Sequence, residues 1–437
     1  MSYRRSFDLE ALRREYGAFL RPGRVLLSGH SHQAWPDAAR RALVACFDEA
    51  AEHVDAKWGR AIFPLRDRVA QGVLARLGFA TTDALAFGQN AHELVFRLLS
   101  CLPLAAETHV VATTGEFHSL FRQLTRLEEA GVRVTWVDAA PRDSLAERLV
   151  EAVRPGVSCV AVSAVLFEDA SVVQGLGAVV SRAVEVGALP LVDAYHAFNV
   201  VPVDYGPSAD RVFVVAGGYK YAQFGEGVCF LRAPPASELR PLATGWFADF
   251  AALEGPRSGG PVGYGPGGDR FSGSTFDPAG LYRAAAALEL FERFGLSVKV
   301  LRALSLYQTG LILEAVLAHP LARSGRLRVA TPREPERRGG FVALRTPHAR
   351  PAVERLREEG VYVDARGDLL RLGPAPYLRD DEIESGTARV LAAVDALERG
   401  ALPWTPEDAG PSAGWGCGAR ALVPNHAYKA WFGTRFR

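Results

Sequence analysis

Short apolar runs alternate with amphipathic stretches along most of this chain. The apolar runs are rich in β-branched residues and bounded by turn residues, which predicts buried strands at 84–87, 108–113, 132–137, 157–165, 189–192 and 211–215. Amphipathic stretches between them, such as 174–187, predict helices. This alternation is typical of a parallel sheet with helices on both faces. We therefore predict an α/β fold, a three-layer αβα sandwich with a mostly parallel central sheet.

The pattern changes toward the C-terminus. Residues 325–400 mix shorter strand-like runs with two helices, which predicts a smaller α+β C-terminal domain. The predicted organisation, in order, is an N-terminal segment that packs with the small domain (1–50), a large α/β domain (51–285), the small domain (286–402) and a tail (403–437). The tail carries Trp404, Trp415 and Trp431 with little periodicity. Whether it wraps the body or a partner subunit stays open.

Composition narrows the class of partner. The chain has 50 basic and 49 acidic residues, and 49% of its residues are hydrophobic. Charges that nearly cancel predict neither a nucleic acid nor a membrane surface as partner. No apolar run approaches a membrane span, and residues 1–17 lack the apolar core of a secretory signal. The five cysteines have no CxxC spacing, so no metal site is expected. We expect a cytoplasmic enzyme.

An acid and a lysine follow two neighbouring predicted strands. Asp193 ends the run 189–192, and Lys220 follows the run 211–215. Open α/β sheets bind ligands at the carboxyl ends of their strands. This pair suits pyridoxal phosphate, because a lysine can form its Schiff base and an acid can pair with its pyridinium nitrogen. Taken singly, each residue is more simply a surface lysine or a turn-forming aspartate. The balance changes with the glycines around the lysine: Gly217, Gly218, Gly225 and Gly227.

Three other stretches carry candidate site residues. Asn90 and Ala91 open a helix after a strand, where free N–H groups favour a phosphate, although asparagine there is also an ordinary cap. Phe117 follows another strand and is a candidate to stack on a flat heterocycle, or else a hydrophobic staple. His30 lies in a polar loop with His32, where both are either pocket residues or solvated.

Five segments resemble a known family. They are DAYHAFNVVPVD (193–204), YKY (219–221), GWF (245–247), FSGSTFDP (271–278) and LLRLGPAPYLRDDEI (369–383). In this order they are similar to motifs of fold-type I pyridoxal phosphate enzymes of aminotransferase class V, and within that class to kynureninases. The similarity spans roughly residues 20–400.

The resemblance implies pyridoxal 5'-phosphate as the cofactor and a homodimer with shared active sites. It makes Lys220 the Schiff-base lysine and Asp193 the pyridinium partner. The remaining implied roles are His196 beside the ring, Tyr219 and Trp246 on the phosphate (Trp246 from the partner subunit), Asn90 and Ala91 in the phosphate cup, Phe117 stacked on the ring, Thr275 near cofactor and substrate aryl group, Arg371 on the substrate carboxylate, and His30 and Ser31 in a substrate loop.

The implied activity is hydrolysis of the Cβ–Cγ bond of L-kynurenine or a substituted relative, giving alanine and an anthranilate. Lys220 would move the Cα proton, and Tyr219 is a candidate proton shuttle. Three segments depart from the family pattern, all near the substrate: GHSHQ (29–33), His118–Leu120 and Phe167–Asp169. The alternatives are therefore another class V enzyme (transaminase, lyase, desulfurase or epimerase) or a non-catalytic protein of the same fold. For a desulfurase, the glycine-flanked Cys417 is the candidate thiol.

Overall fold

A seven-stranded sheet forms the centre of the computed structural model, which describes residues 7–254 and 260–400. The predicted tail and Cys417 lie outside the described residues. The strands are β1 Val25–Leu26, β2 Ala84–Gly88, β3 His109–Thr113, β4 Arg133–Val137, β5 Cys159–Ser163, β6 Leu189–Asp193, β7 Phe213–Gly217, β8 Cys229–Ala233, β9 Arg328–Val329, β10 Val342–Arg345, β11 Val361–Tyr362, β12 Asp364–Arg366 and β13 Leu369–Leu372.

Helices cover this sheet and build the C-terminal part. They are α1 Leu9–Arg14, α2 Asp37–His53, α3 Phe63–Leu77, α4 Ala91–Leu99, α5 His118–Glu129, α6 Leu145–Ala152, α7 Leu176–Glu185, α8 Ala279–Arg293, α9 Val298–Ala318, α10 Pro320–Arg323, α11 Ala349–Glu358 and α12 Asp380–Gly400. A π-helical turn, Trp58–Ile62, precedes α3.

The central sheet has the order β2-β8-β7-β6-β5-β3-β4. Every neighbouring pair from β7 to β4 is parallel, and β8 runs antiparallel to both β7 and β2. All residues of β5, β7 and β8 are buried, as expected for strands covered on both faces. The predicted mostly parallel α/β sheet is confirmed.

The register of the parallel strands determines where polar side chains meet. Ser163, the last residue of β5, is opposite Asp193, the last residue of β6, and Asp193 is opposite Val215 of β7. The strand predicted at 211–215 is displaced, because Ala209–Arg211 form a 3₁₀ turn and β7 continues to Gly217. Lys220 therefore follows the strand after only two residues, at the same edge as Asp193.

The C-terminal part contains a four-stranded antiparallel sheet of order β12-β13-β10-β9. The N-terminal chain pairs with neighbouring segments of this part: β1 runs parallel to β11, and Ser28 bridges Gly373. This pairing brings the loop that carries His30 beside β13, which carries Arg371.

Helix α9 is long and apolar enough, by length and composition alone, to cross a membrane, the one such helix among the described residues. The sequence prediction found no such run. The helix packs on α12, and Gln308 Nε2 donates to the Ala375 carbonyl (2.9 Å). The apolar face of α9 is therefore accounted for by packing within this part of the protein, with buried residues that include Leu301, Leu304, Ile312, Leu313 and Val316.

Candidate active site

Lys220 is the centre of a cavity of about 250 Å³ at the carboxyl edge of the central sheet. Its side chain is 4% exposed, and its Nζ lies 2.6 Å from Nε2 of His196. The ammonium position faces the rings of Tyr195 (4.5 Å to the centroid) and Phe117 (5.4 Å). Burial lowers the pKa of Lys220 to about 7, although Asp193 opposes that change. A neutral amine, the form that attacks carbonyl carbon, is thus accessible near neutral pH.

The tight turn around Lys220 depends on two glycines. A Cβ at Gly217 would overlap the Tyr195 hydroxyl and the Cys229 sulfur, and one at Gly218 would overlap the ring of Phe224. The backbone can therefore pass under the lysine only without side chains at these two positions.

Asp193 lies in the same cavity as Lys220. Its Oδ1 accepts a hydrogen bond from the Tyr195 N–H (2.8 Å). Burial raises the pKa of Asp193, an effect that this hydrogen bond and Lys220 counteract. A cationic nitrogen placed against the carboxylate would favour its charged form. Burial, followed by the nearby Lys220, holds the pKa of His196 well below its ordinary value, so this histidine is neutral.

The strand–turn–helix from β2 to α4 closes one end of the cavity. Gln89, Asn90 and Ala91 line it. Asn90 is the N-cap of α4: its side chain accepts from the Glu93 N–H (2.9 Å). Asparagine thus acts as the cap that the sequence left as an alternative, and the helix N-terminus still presents backbone N–H groups to an anion.

Aromatic side chains form another wall. Phe117 immediately precedes α5, and its ring lies 5.4 Å from that of Phe167, edge to face. His118 lies 5.1 Å from Phe167. Phe117 and Phe167 line the cavity with Tyr219. A flat ring fits against such a wall.

Arg371 and His30 share one carboxylate, that of Asp364. Arg371 is 2% exposed, and its Nε and Nη2 donate to the two oxygens of Asp364 (2.8 and 2.6 Å). Its Nη1 donates to the Phe167 carbonyl (2.5 Å). His30 Nε2 lies 2.9 Å from Asp364 Oδ1. Burial lowers the pKa of His30 to about 4, whereas His30 and Arg371 hold the pKa of Asp364 well below its usual range against the effect of burial.

Several predicted site residues lie outside the Lys220 cavity. Arg371 and His30 are not among the residues that line it, and Ser31 donates to the Ser28 carbonyl instead (3.1 Å). Thr275 lines a separate cleft of about 280 Å³ with Arg66 and Arg97. Trp246, 43% exposed, donates to Ser274 Oγ (3.1 Å) in the same region. The roles of these residues stay predictions.

Two acids at the site escaped the sequence analysis. Asp364 is directly opposite Arg371 in the β12–β13 pair, and the hairpin-like segment VDARGDLLRL could have indicated that pairing. Glu116 precedes Phe117 and is buried at the end of β3. It looks like an ordinary loop acid in the sequence, and no local pattern indicates its burial.

Comparisons with known proteins agree with this geometry. Residues 301–390 match a family described as the kynureninase C-terminal domain. A kynureninase from Deinococcus radiodurans is 27% identical, covering 86% of this chain and 92% of that protein. A probable cysteine desulfurase from Streptomyces coelicolor is also 27% identical, covering 79% and 83%.

The chain is thus similar to kynureninases and to other enzymes of aminotransferase class V. Its fold is that of a cystine C–S lyase mutant with glycine linked to the PLP cofactor (TM-score 0.75, 17% identity, 87% and 98% coverage). The cysteine desulfurase CsdA from Escherichia coli has the same fold (TM-score 0.74, 16% identity, 91% and 100% coverage). These comparisons confirm the predicted resemblance to class V enzymes, the fold-type I architecture and, at the level of this family, pyridoxal phosphate as the cofactor.

Proposed function

We propose that this kynureninase-like protein binds pyridoxal phosphate at Lys220 and hydrolyses the Cβ–Cγ bond of L-kynurenine or a substituted relative, giving alanine and an anthranilate. One observation carries the proposal: Lys220, a buried lysine with a depressed pKa, shares an aromatic-walled cavity with Asp193 at the carboxyl edge of the central sheet. Support for the substrate comes from the kynureninase relatives and from the aromatic wall, which suits an aryl side chain.

The residues present fit the cofactor at each of its ends. Lys220 supplies the amine, Asp193 the acid for the pyridinium nitrogen, Phe117 a ring face and the N-terminus of α4 the donors for a phosphate. When bound, this cofactor supplies an electron sink for electrons released at the substrate.

The chain's own groups perform the proton transfers. With Nζ free, the neutral amine of Lys220 would take the Cα proton of a bound substrate, and His196 Nε2, 2.6 Å away, would hold Nζ in place. Tyr219 is a proton donor and not a base, because burial raises its pKa to about 12. The Phe117 and Tyr195 rings that face Nζ keep bulk water from the lysine.

A second candidate, cleavage of a carbon–sulfur bond, is favoured by the desulfurase relative. Persulfide transfer requires a reactive thiolate. Among the described cysteines, Cys229 lines the cavity, but burial raises its pKa to about 11. Cys229 is therefore poorly suited to carry a persulfide, and the candidate thiol Cys417 lies outside the described residues.

An absorption and product assay tests the proposal. The purified protein should show a band near ~400 nm that Lys220→Ala abolishes, as expected for a lysine-bound cofactor. Lys299→Ala, which removes an exposed lysine on α9, is the matched control and should keep the band. Wild-type protein should release anthranilate from L-kynurenine. A normal band without release from kynurenine or 3-hydroxykynurenine would reject the substrate, and sulfide release from cysteine would favour the second candidate.

We also propose a homodimer. Trp246 and Thr275 lie outside the cavity of their own chain, as expected if they serve a partner's site. Light scattering of the purified protein should give twice the chain mass of 47.2 kDa. A monomer with full activity would contradict this proposal.

A further inference from the structure

Glu116 is a buried acid beside the proposed cofactor site and has no part in the chemistry above. Glu116 lies in the turn after β3 and is 3% exposed. The hydroxyls of Thr113 and Ser163 donate to its two carboxyl oxygens, both at 2.6 Å, and the Ser163 N–H donates at 3.3 Å. Glu116 therefore joins the ends of β3 and β5 by three hydrogen bonds.

These bonds reach the acid predicted to face the pyridinium nitrogen. Ser163 is the direct register partner of Asp193, and both residues line the Lys220 cavity. The groups that face the Glu116 carboxyl group are Thr113 from β3, Ser163 from β5 and, as the charged group, Asp193 from β6. Two carboxyl groups in one buried region do not both ionise readily, so each affects the charge of the other.

We propose that Glu116 is a positioning residue of the cofactor site, which holds Ser163 against Asp193 and thereby sets the charge at the pyridinium end. This inference rests on the proposed function only for cofactor binding, and it holds for any amino-acid substrate. Burial raises the pKa of Glu116 to about 7, with Asp193 adding to the effect, so Glu116 is largely neutral in mildly acidic solution and leaves the negative charge to Asp193. In alkaline solution Glu116 adds a second negative charge.

That second charge has a measurable consequence. A negative charge in a poorly solvated site stabilises a nearby cation, including a protonated link between Lys220 and the cofactor. Glu116→Gln keeps the shape of the side chain but cannot ionise. It should lower the pH midpoint at which the ~400 nm band is lost by about half a unit or more. The spectrum at acid pH should not change, because wild-type Glu116 is neutral there.

The experiment compares pH titrations of the band in holoenzyme for wild type, Glu116→Gln, Ser163→Ala and the double variant. Ser163→Ala removes a donor that lowers the pKa of Glu116, so Glu116 ionises less and Glu116→Gln should shift the midpoint much less in this background. The matched control is Thr108→Val, which removes a buried hydroxyl bonded to the Pro103 carbonyl at the opposite end of β3. It should lower the melting temperature and leave the midpoint unchanged.

Three results would overturn the inference. The first is a Glu116→Gln variant that keeps the wild-type midpoint, whether or not its melting temperature falls as in Thr108→Val. Glu116 would then be a purely structural residue. Additive shifts in the double variant would reject transmission through Ser163. A wild-type protein without any band would overturn the cofactor assignment as well. A normal band without anthranilate release would reject only the proposed substrate, and the pH titration would still support or refute the role of Glu116.

Discussion

Removing the lysine at the centre of the site should stabilise the cofactor-free protein at neutral pH. Burial lowers the pKa of Lys220 from 10.5 to about 7. In the unfolded chain the lysine is protonated up to about pH 10.5, so between the two values the unfolded state binds more protons than the folded state. The stability of the wild type therefore rises with pH between about 7 and 10.5. At lower pH, Lys220 must either be buried with its charge or lose its proton when the chain folds. Lys220→Met has a similar volume and carries no such cost.

The magnitude follows from the two pKa values. At 1.36 kcal/mol per pKa unit, the charge penalty in the wild type is on the order of 4–5 kcal/mol at pH 6.5 and on the order of 1–2 kcal/mol at pH 9.5. The stability advantage of Lys220→Met should therefore shrink by about 3 kcal/mol across this range. For a chain of 437 residues, that corresponds to a melting-temperature difference of about 3 °C. Lys220→Met also loses the Lys220–His196 hydrogen bond, which changes the stability difference between the two proteins by a constant amount. The dependence of that difference on pH is therefore the test.

Thermal melts of cofactor-free wild type, Lys220→Met and Lys299→Met from pH 6.5 to 9.5 provide the assay. Lys299 is exposed, so its variant should follow the wild type at every pH. Melting temperatures of wild type and Lys220→Met that stay parallel across the range would refute the reasoning, because they would show that the folded protein leaves the pKa of Lys220 where the unfolded chain has it.

Three further predictions concern the edges of the cavity. Arg371→Lys should raise the KM for the amino-acid substrate about tenfold or more with a smaller change in kcat, since an ammonium group cannot replace the two parallel donors of the planar guanidinium group. A fall in kcat with an unchanged KM would argue against a role in substrate binding. Asp364→Asn should lower the melting temperature, because Arg371 and His30 lose the carboxylate they share; an unchanged melting temperature would contradict this. Cys229→Ser should keep most of the activity in an anthranilate-release assay, because burial raises the pKa of this thiol to about 11, and complete loss would contradict this by giving the thiol a part in the reaction.

The parts of the fold that follow from local pattern were predictable. Apolar runs of five or so residues between turn signals identify β3, β5 and β6, and the carboxyl-edge rule then brings Asp193 and Lys220 together. The error at β7 has a local cause: Arg211 ends a 3₁₀ turn, and the strand continues through Ala216 and Gly217 after the predicted run. Strand boundaries depend on such competing turns, which periodicity does not register.

The parts of the site that depend on distant partners were not predictable. Glu116 is separated from Ser163 by 47 positions, and only the order of strands in the sheet brings them together. The resemblance places Thr275 and Trp246 at the site, yet within one chain they line or flank another cleft. For Trp246 the resemblance implies the partner subunit, but for Thr275 it does not say which chain supplies the residue.

The substrate end of the site shows why the cofactor is better determined than the reaction. Arg371 reaches the cavity edge already neutralised by Asp364, and His30, with its pKa lowered to about 4, adds no positive charge there at neutral pH. An incoming α-carboxylate must therefore use the remaining guanidinium donors or displace Asp364, since a buried bidentate pair cannot serve two carboxylates through the same N–H groups. Substrate selection then depends on how readily a substrate carboxylate replaces Asp364 at Arg371. Asp364→Asn should therefore change the order of kcat/KM values among amino-acid substrates, not merely the rate with each.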